Sequence, residues 1–124
     1  MKVLVVDDEQ DIRLLFLQKF RRELRAGQLE LEFALSGEAA LEYLDRQGAA
    51  GRELILSDIN MPGMSGIELL KIVKHRYPML RVFMITAYGD EAYFTSAMEN
   101  VADDYLIKPI EFERLKVKMS SMQA

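Results

Sequence analysis

Three apolar runs in the 124-residue chain end on groups that can bind a cation or hold a phosphoryl group. Val3-Leu4-Val5-Val6 stops at Asp7-Asp8, Leu54-Ile55-Leu56 at Ser57-Asp58, and Val82-Phe83-Met84-Ile85 at Thr86. A fourth run, Tyr105-Leu106-Ile107, stops at Lys108-Pro109. If these runs are parallel strands, their carboxyl ends share one edge, where open α/β sheets bind ligands. Three carboxylates, a hydroxyl and an ammonium then face one another. Aspartate is a weak nucleophile, yet it accepts a phosphoryl group when the charge around the transferring phosphate is neutralised. Magnesium suits that task, pairing one or two carboxylates with phosphate oxygens and waters. Asp8 and Asp58 are natural ligands, with Asp7 close enough to help through a water. Such crowded carboxylates repel one another without the ion, which favours its entry. Lys108 can contact the phosphoryl oxygens as a compact positive charge, and Thr86 can donate a hydroxyl hydrogen bond to them.

The elements that must position these groups alternate along the chain. Strands are expected near 2–6, 29–34, 53–57, 81–85 and 103–107, nearly all apolar as in strands covered on both faces. The second alternates Leu29, Leu31 and Phe33 with Glu30 and Glu32, which suits a sheet edge. Helical periods lie between them. Ile12, Leu15, Phe16, Phe20 and Leu24 make one stripe, and Phe112, Leu115, Met119 and Met122 another. Ser65 with Glu68 reads as a capping box, and Ser36 before Gly37-Glu38 as a second N-cap. Gly27, Gly48 and Gly51 punctuate the joins. Such βα alternation predicts a doubly wound parallel sheet with right-handed crossovers and helices on both faces.

Composition bounds the function. The length predicts one domain over residues 1–124, large enough for a core without staples. With no cysteine, disulfides, thiolate metal sites and cysteine nucleophiles are excluded. The apolar start is too short for a signal peptide and no segment reaches transmembrane length, so the expectation is a soluble cytoplasmic protein without membrane contact. Sixteen basic and 20 acidic side chains leave a net charge of −4, against direct nucleic-acid binding. The basic cluster Lys19, Arg21, Arg22 and Arg25 reads as a solvated helix end.

Asp7-Asp8 after a buried strand, Asp58 within SDINMPGMSG, Thr86-Ala87, and Asp103-Asp104-Tyr105-Leu106-Ile107-Lys108-Pro109 together resemble the receiver domain of bacterial two-component response regulators. The match runs through the whole chain in order and spacing. The resemblance implies a flavodoxin-like (βα)5 fold with strand order 2-1-3-4-5. It implies that Asp58 is the phospho-acceptor and that Asp7, Asp8, Asp58 and the Asn60 main-chain carbonyl are the magnesium ligands. Thr86 and Lys108 resemble the phosphate-binding pair, and Lys108–Pro109 a cis peptide that aims Lys108 into the site. Thr86 and Tyr105 resemble the switch pair that changes the face formed by the fourth helix (the one expected to start after Thr86), the fifth strand and the helix that follows it. The implied partners are a sensor histidine kinase or phosphotransfer protein upstream, a downstream protein or output domain, and a second copy through the switching face. The protein would catalyse only its own phosphorylation and dephosphorylation. Tyr88 is expected to shield the acyl phosphate from water, and Asn100 beside Val101 to take the left-handed turn before the fifth strand.

Blander readings and other functions compete. Asp7 and Asp8 suit a helix cap, Asp58 an Asx-turn before Pro62-Gly63, and Lys108 a plain surface position. His75 reads as a solvated helix-end cation, and Met61 and Met64 as gap-fillers or contact surface. An aspartate-nucleophile phosphohydrolase uses similar groups, but it usually has a second aspartate where Asn60 stands, and it needs a substrate cap. A phosphorylation-independent pseudo-receiver typically loses an acidic-pair member, the acceptor or the lysine, all kept here. A flavin-binding module of the same fold lacks its Ser/Thr-rich phosphate loop.

Overall fold

A computed structural model describes residues 1–47, 52–87 and 102–122, together with Thr95 and Glu99. Five parallel strands form one sheet in the order β2-β1-β3-β4-β5. They are β1 (Lys2–Val6), β2 (Glu30–Ala34), β3 (Arg52–Asp58), β4 (Arg81–Thr86) and β5 (Asp104–Ile107). The helices are α1 (Asp11–Lys19), α2 (Arg21–Arg25), α3 (Gly37–Gln47), α4 (Gly66–Arg76) and α5 (Phe112–Ser121). Apart from Thr95 and Glu99, the helix expected after Thr86 lies outside the described residues, as do Tyr88, expected to shield the acyl phosphate, and the turn at Asn100-Val101.

Alternation within the central strands divides the core in two. Leu4, Val6, Ile55, Val82 and Met84 point to one face and pack with Leu44, Leu69, Leu70 and Val73 from α3 and α4. Val3, Val5, Leu54, Leu56, Phe83 and Ile85 point to the other and meet Phe16, Phe20, Phe112 and Leu115. The Phe16 ring lies 5.1 Å from Phe112, edge to face, and 5.8 Å from Phe20. Burying each such side chain contributes about 1.5–3 kcal/mol. β2 is an edge strand, with Glu30 and Glu32 exposed and Leu31 and Phe33 half-buried, as its alternation predicts.

Two details differ from the sequence expectation. The first helix is broken at Phe20, whose φ of −104° and ψ of 17° separate α1 from α2. Leu15 does not join the buried stripe and is 37% exposed. The inward line is Ile12, Phe16, Phe20 and Leu24, each four residues on, which leaves Leu15 one helical step to the side. Both serines cap their helices: the Ser65 hydroxyl accepts from the Glu68 N–H at 3.2 Å, which is the serine half of the expected capping box, and the Ser36 hydroxyl accepts from the Ala39 N–H at 3.0 Å. Gly27 ends α2 with a φ of +73°, a conformation that favours glycine. His75 is exposed in the last turn of α4.

Polar ties fix the amino-terminal ends of β4 and β5. The Lys74 ammonium donates to Leu80 O at 3.0 Å and to Asp103 Oδ2 at 2.7 Å, and the Val82 N–H donates to the same carboxylate oxygen at 2.8 Å. Lys118 pairs with Asp104 at 2.7 Å. The carboxyl ends of the strands, at the opposite edge, carry the chemistry-bearing residues.

Candidate functional site

β1 ends where Asp7 begins, and the Asp7 N–H donates to Ala34 O at 3.1 Å, extending the β1–β2 pairing one residue past the strand. β3 carries Asp58 as its last residue, paired in register with Ile85 of β4. The Ile59 N–H donates to Ile85 O at 3.0 Å and the Lys108 N–H to Thr86 O at 2.8 Å. These backbone bonds hold the ends of β3, β4 and β5 together. Strand pairing alone thus delivers Asp7, Asp58, Thr86 and Lys108 to one edge.

The carboxylates of Asp7, Asp8 and Asp58 offer oxygens that all lie within 4.8 Å of one another. Asp7 and Asp58 are buried and Asp8 is exposed, so the cluster opens to solvent on one side. Lys108 reaches in from β5, its ammonium 3.0 Å from Asp58 Oδ2 and 3.6 Å from Asp7 Oδ2. The Lys108–Pro109 peptide is cis. Asp58 Oδ1 accepts from the Asn60 N–H at 3.3 Å, and Asp7 Oδ1 from the Glu9 N–H at 2.9 Å. Burial pushes the Asp58 carboxyl above its ordinary value, helped by the Asp7 charge and opposed by Lys108. Desolvation draws the Lys108 ammonium down, but Asp58, Asp7 and Glu9 together hold it above its ordinary value.

One atom points to a missing partner. Asp7 Oδ2 is buried and makes no hydrogen bond, and Lys108 stands beyond hydrogen-bond reach of it. The Lys108 ammonium pairs with that oxygen by charge alone, and a buried carboxylate oxygen that accepts no hydrogen bond is left short of a partner that a donor or a bound cation would supply. All-oxygen donors with two or three charges suit a hard divalent ion such as magnesium. The residues present fit that group.

The other expected residues are placed nearby. Thr86 is buried at the end of β4, with its hydroxyl 3.4 Å from Ala87 O. Asn60 is exposed, two residues past Asp58. Tyr105 is half-buried on β5, in register with Met84, and packs against the cluster beneath α3 and α4. Ser57 is fully buried and its hydroxyl donates to Asp58 O at 3.0 Å, so it serves the backbone. Sequence reasoning overlooked Glu9, whose charge acts on Lys108 and whose N–H orients Asp7. Its signal was present: a third acid directly continues the Asp7-Asp8 pair.

Comparison with known proteins agrees with this geometry. Residues 3–120 match the family model of the response regulator receiver domain. Response regulator protein FleR of Pseudomonas aeruginosa is 40% identical over 114 residues, covering 92% of this chain and 23% of that protein. The chain thus spans about a quarter of the length of that relative. Among solved structures, the receiver domain of NtrX from Brucella abortus superposes with a TM-score of 0.82 at 30% identity, covering 97% of this chain and 96% of that one. Response regulator TrrA from Thermotoga maritima, solved in complex with Mg(2+)-BeF, gives a TM-score of 0.78 at 31% identity, covering 98% and 97%. The sheet order, the acidic cluster with its lysine and the family match agree, and the chain belongs to the receiver domains of response regulators.

Proposed function

We propose that the chain is a phosphorylation-controlled switch with Asp58 as its acceptor and magnesium as its cofactor. The observation that carries this reading is the buried Asp58 carboxylate, gripped by Lys108 at 3.0 Å beside a buried Asp7 oxygen that has no hydrogen-bond partner. Asp7, Asp8, Asp58 and the Asn60 main-chain carbonyl would hold the ion, which neutralises charge on the transferring group when bound. The Mg(2+)-BeF complex of the TrrA relative supports that choice of cofactor.

The donor is a phosphohistidine of a sensor histidine kinase or phosphotransfer protein. An Asp58 carboxylate oxygen attacks phosphorus, the P–N bond breaks, and its electron pair leaves on the imidazole nitrogen, which takes up a proton. Lys108 meets the negative charge on the transferred oxygens, and the Thr86 hydroxyl donates to one of them. Water later attacks the same phosphorus, the P–O bond to Asp58 breaks, and inorganic phosphate leaves with the carboxylate restored. In this reading the domain itself catalyses only its own phosphorylation and dephosphorylation.

Control follows from a population shift. A phosphoryl group at Asp58 draws the Thr86 hydroxyl toward it, and Tyr105 follows inward behind it. The face carrying β5 and α5 then changes its affinity for a downstream protein, an attached output domain or a second copy. Beryllofluoride with magnesium, added to isotope-labelled protein, tests this by NMR. Shifts at Thr86, Tyr105 and Lys108 as well as at Asp58 are expected. Shifts confined to Asp58 and its immediate neighbours would contradict the switch and favour a phosphorylation-independent interaction module.

A further inference from the structure

The first residue of α4, Gly66, lies directly behind the main chain of Asp58. A Cβ added to Gly66 would stand 2.1 Å from Asp58 O, 2.7 Å from Ile59 Cα and 2.9 Å from Asp58 C. All three are backbone atoms, which cannot swing aside as a side chain can. Other glycines answer different needs. Gly27 and Gly63 have φ of +73° and +75°, and a Cβ on Gly37 would meet the mobile thioether of Met64. Gly66 has no positive φ to accommodate, so it is required for space alone.

We propose that Gly66 is a positioning residue for phosphoryl transfer: its missing side chain sets where the Asp58–Ile59 peptide sits, and with it the acceptor carboxylate. The proposal rests on the reading of Asp58 given above. Both sides of the contact are held. Asp58 and Ile59 are tied to Ile85 by strand register and by the Ile59 N–H bond of 3.0 Å. α4 is anchored by Leu69, Leu70 and Val73, at most 1% exposed, and the Gly66 N–H donates to Ile59 O at 2.8 Å. A side chain at position 66 therefore cannot be relieved by sliding the helix or the sheet freely. The misfit falls on the short link between them, residues 58–65.

That link orients the reacting group. The Asn60 N–H holds Asp58 Oδ1 at 3.3 Å, and Lys108 holds Oδ2 at 3.0 Å. Opening the Gly66 contact from 2.1 Å to the 3.0 Å that Cβ atoms respect needs a shift of 0.9 Å. Misplacement of a reacting group by about 1 Å lowers a rate by roughly 10²-fold. The same shift moves the Asn60 carbonyl relative to the three carboxylates, so metal affinity falls with it.

The test compares parent, Gly66→Ala and Gly27→Ala. Gly27 is remote from the site, and its Cβ would meet nothing within 4 Å, so alanine there adds backbone strain without displacing any neighbour. Phosphorylation by acetyl phosphate at saturating magnesium is followed by intact mass, magnesium affinity by calorimetry, and fold by circular dichroism and melting. Expected is a roughly 10²-fold slower maximal rate and weaker magnesium binding for folded Gly66→Ala. Gly27→Ala is expected to lose melting temperature but keep the parent's rate and affinity. A folded Gly66→Ala with the parent's rate would overturn the proposal, because the helix would then have yielded instead. If Gly66→Ala is unstable, both variants are assayed in the cold with trimethylamine N-oxide. Failure to fold even there also overturns it, since the misfit would be global. A parent that gains no phosphoryl group defeats the Asp58 reading itself, an outcome separate from either.

Discussion

Asp58 sits at the end of β3 with only 7% of its side chain exposed and two neighbouring carboxylates within 4.8 Å. Its raised proton affinity, caused first by burial, is a statement about stability as well as chemistry. A carboxyl whose folded value lies above its ordinary 3.8 destabilises the metal-free fold at neutral pH. That penalty fades as pH falls through the raised value, and it is absent below both values, where the group is protonated folded or unfolded. Asp58→Asn is therefore expected to raise the melting temperature of the metal-free protein at neutral pH. The gain should shrink steadily as the buffer is acidified, and saturating magnesium should shrink it too, because the ion stabilises only the parent's intact ligand set. An equal gain at every pH would contradict burial of an ionised carboxylate as its source. These residues were legible in the sequence, because an acid, hydroxyl or base at the end of an apolar run is at the end of a strand. The fit of Gly66 against Asp58 O was not legible. It depends on how closely a helix approaches a strand, and no spacing rule records that distance.

At the scale of elements, α3 and α4 are joined by one carboxylate. Asp45 accepts from the Tyr77 hydroxyl at 2.6 Å and from Arg76 at 2.8 Å. The Tyr77 bond first, and Arg76 after it, hold the Asp45 carboxyl below its ordinary value, while Asp45 holds the Tyr77 phenol above 10.0. The two shifts act at opposite ends of the pH scale. The contribution of Asp45 is present above its unfolded value and is lost as pH falls through the depressed one. That of the Tyr77 phenol is present below 10.0 and is lost as pH rises through the elevated one. Tyr77→Phe should thus lower the melting temperature at neutral pH, with parent and variant converging in strong alkali. Parallel curves at all pH would mean that the Tyr77–Asp45 hydrogen bond is not the source of the loss. The pair is exposed, so the effect is modest. Sequence reading found the strands and most caps because periodicity and cap chemistry are local. It missed the break at Phe20 and the exposure of Leu15, because both follow from how α1 rolls to seat Phe16 and Phe20 on Phe112. That choice belongs to the whole core.

The whole molecule separates its tasks between two ends of one sheet. Ion pairs such as Lys74–Asp103 and Lys118–Asp104 lie at the amino-terminal ends of the strands, and the carboxylate cluster lies at the other. Alternation of strand and helix made the parallel sheet legible, whereas its order, β2-β1-β3-β4-β5, was implied by the receiver resemblance, because the same alternation fits other strand orders. Among the described residues no helix is long and apolar enough to cross a membrane. A rigid sheet that brings groups from β1, β3, β4 and β5 to one edge would let a phosphoryl group on Asp58, as proposed, act on several elements at once. Everything in that account depends on Asp58 accepting it. The most direct test is intact mass after incubation with acetyl phosphate, with and without magnesium, for the parent and for Asp58→Asn. A metal-dependent gain of one phosphoryl group that Asp58→Asn abolishes is the predicted result. A gain that survives in Asp58→Asn, or no gain in the parent from acetyl phosphate or from a phosphohistidine donor, would contradict it.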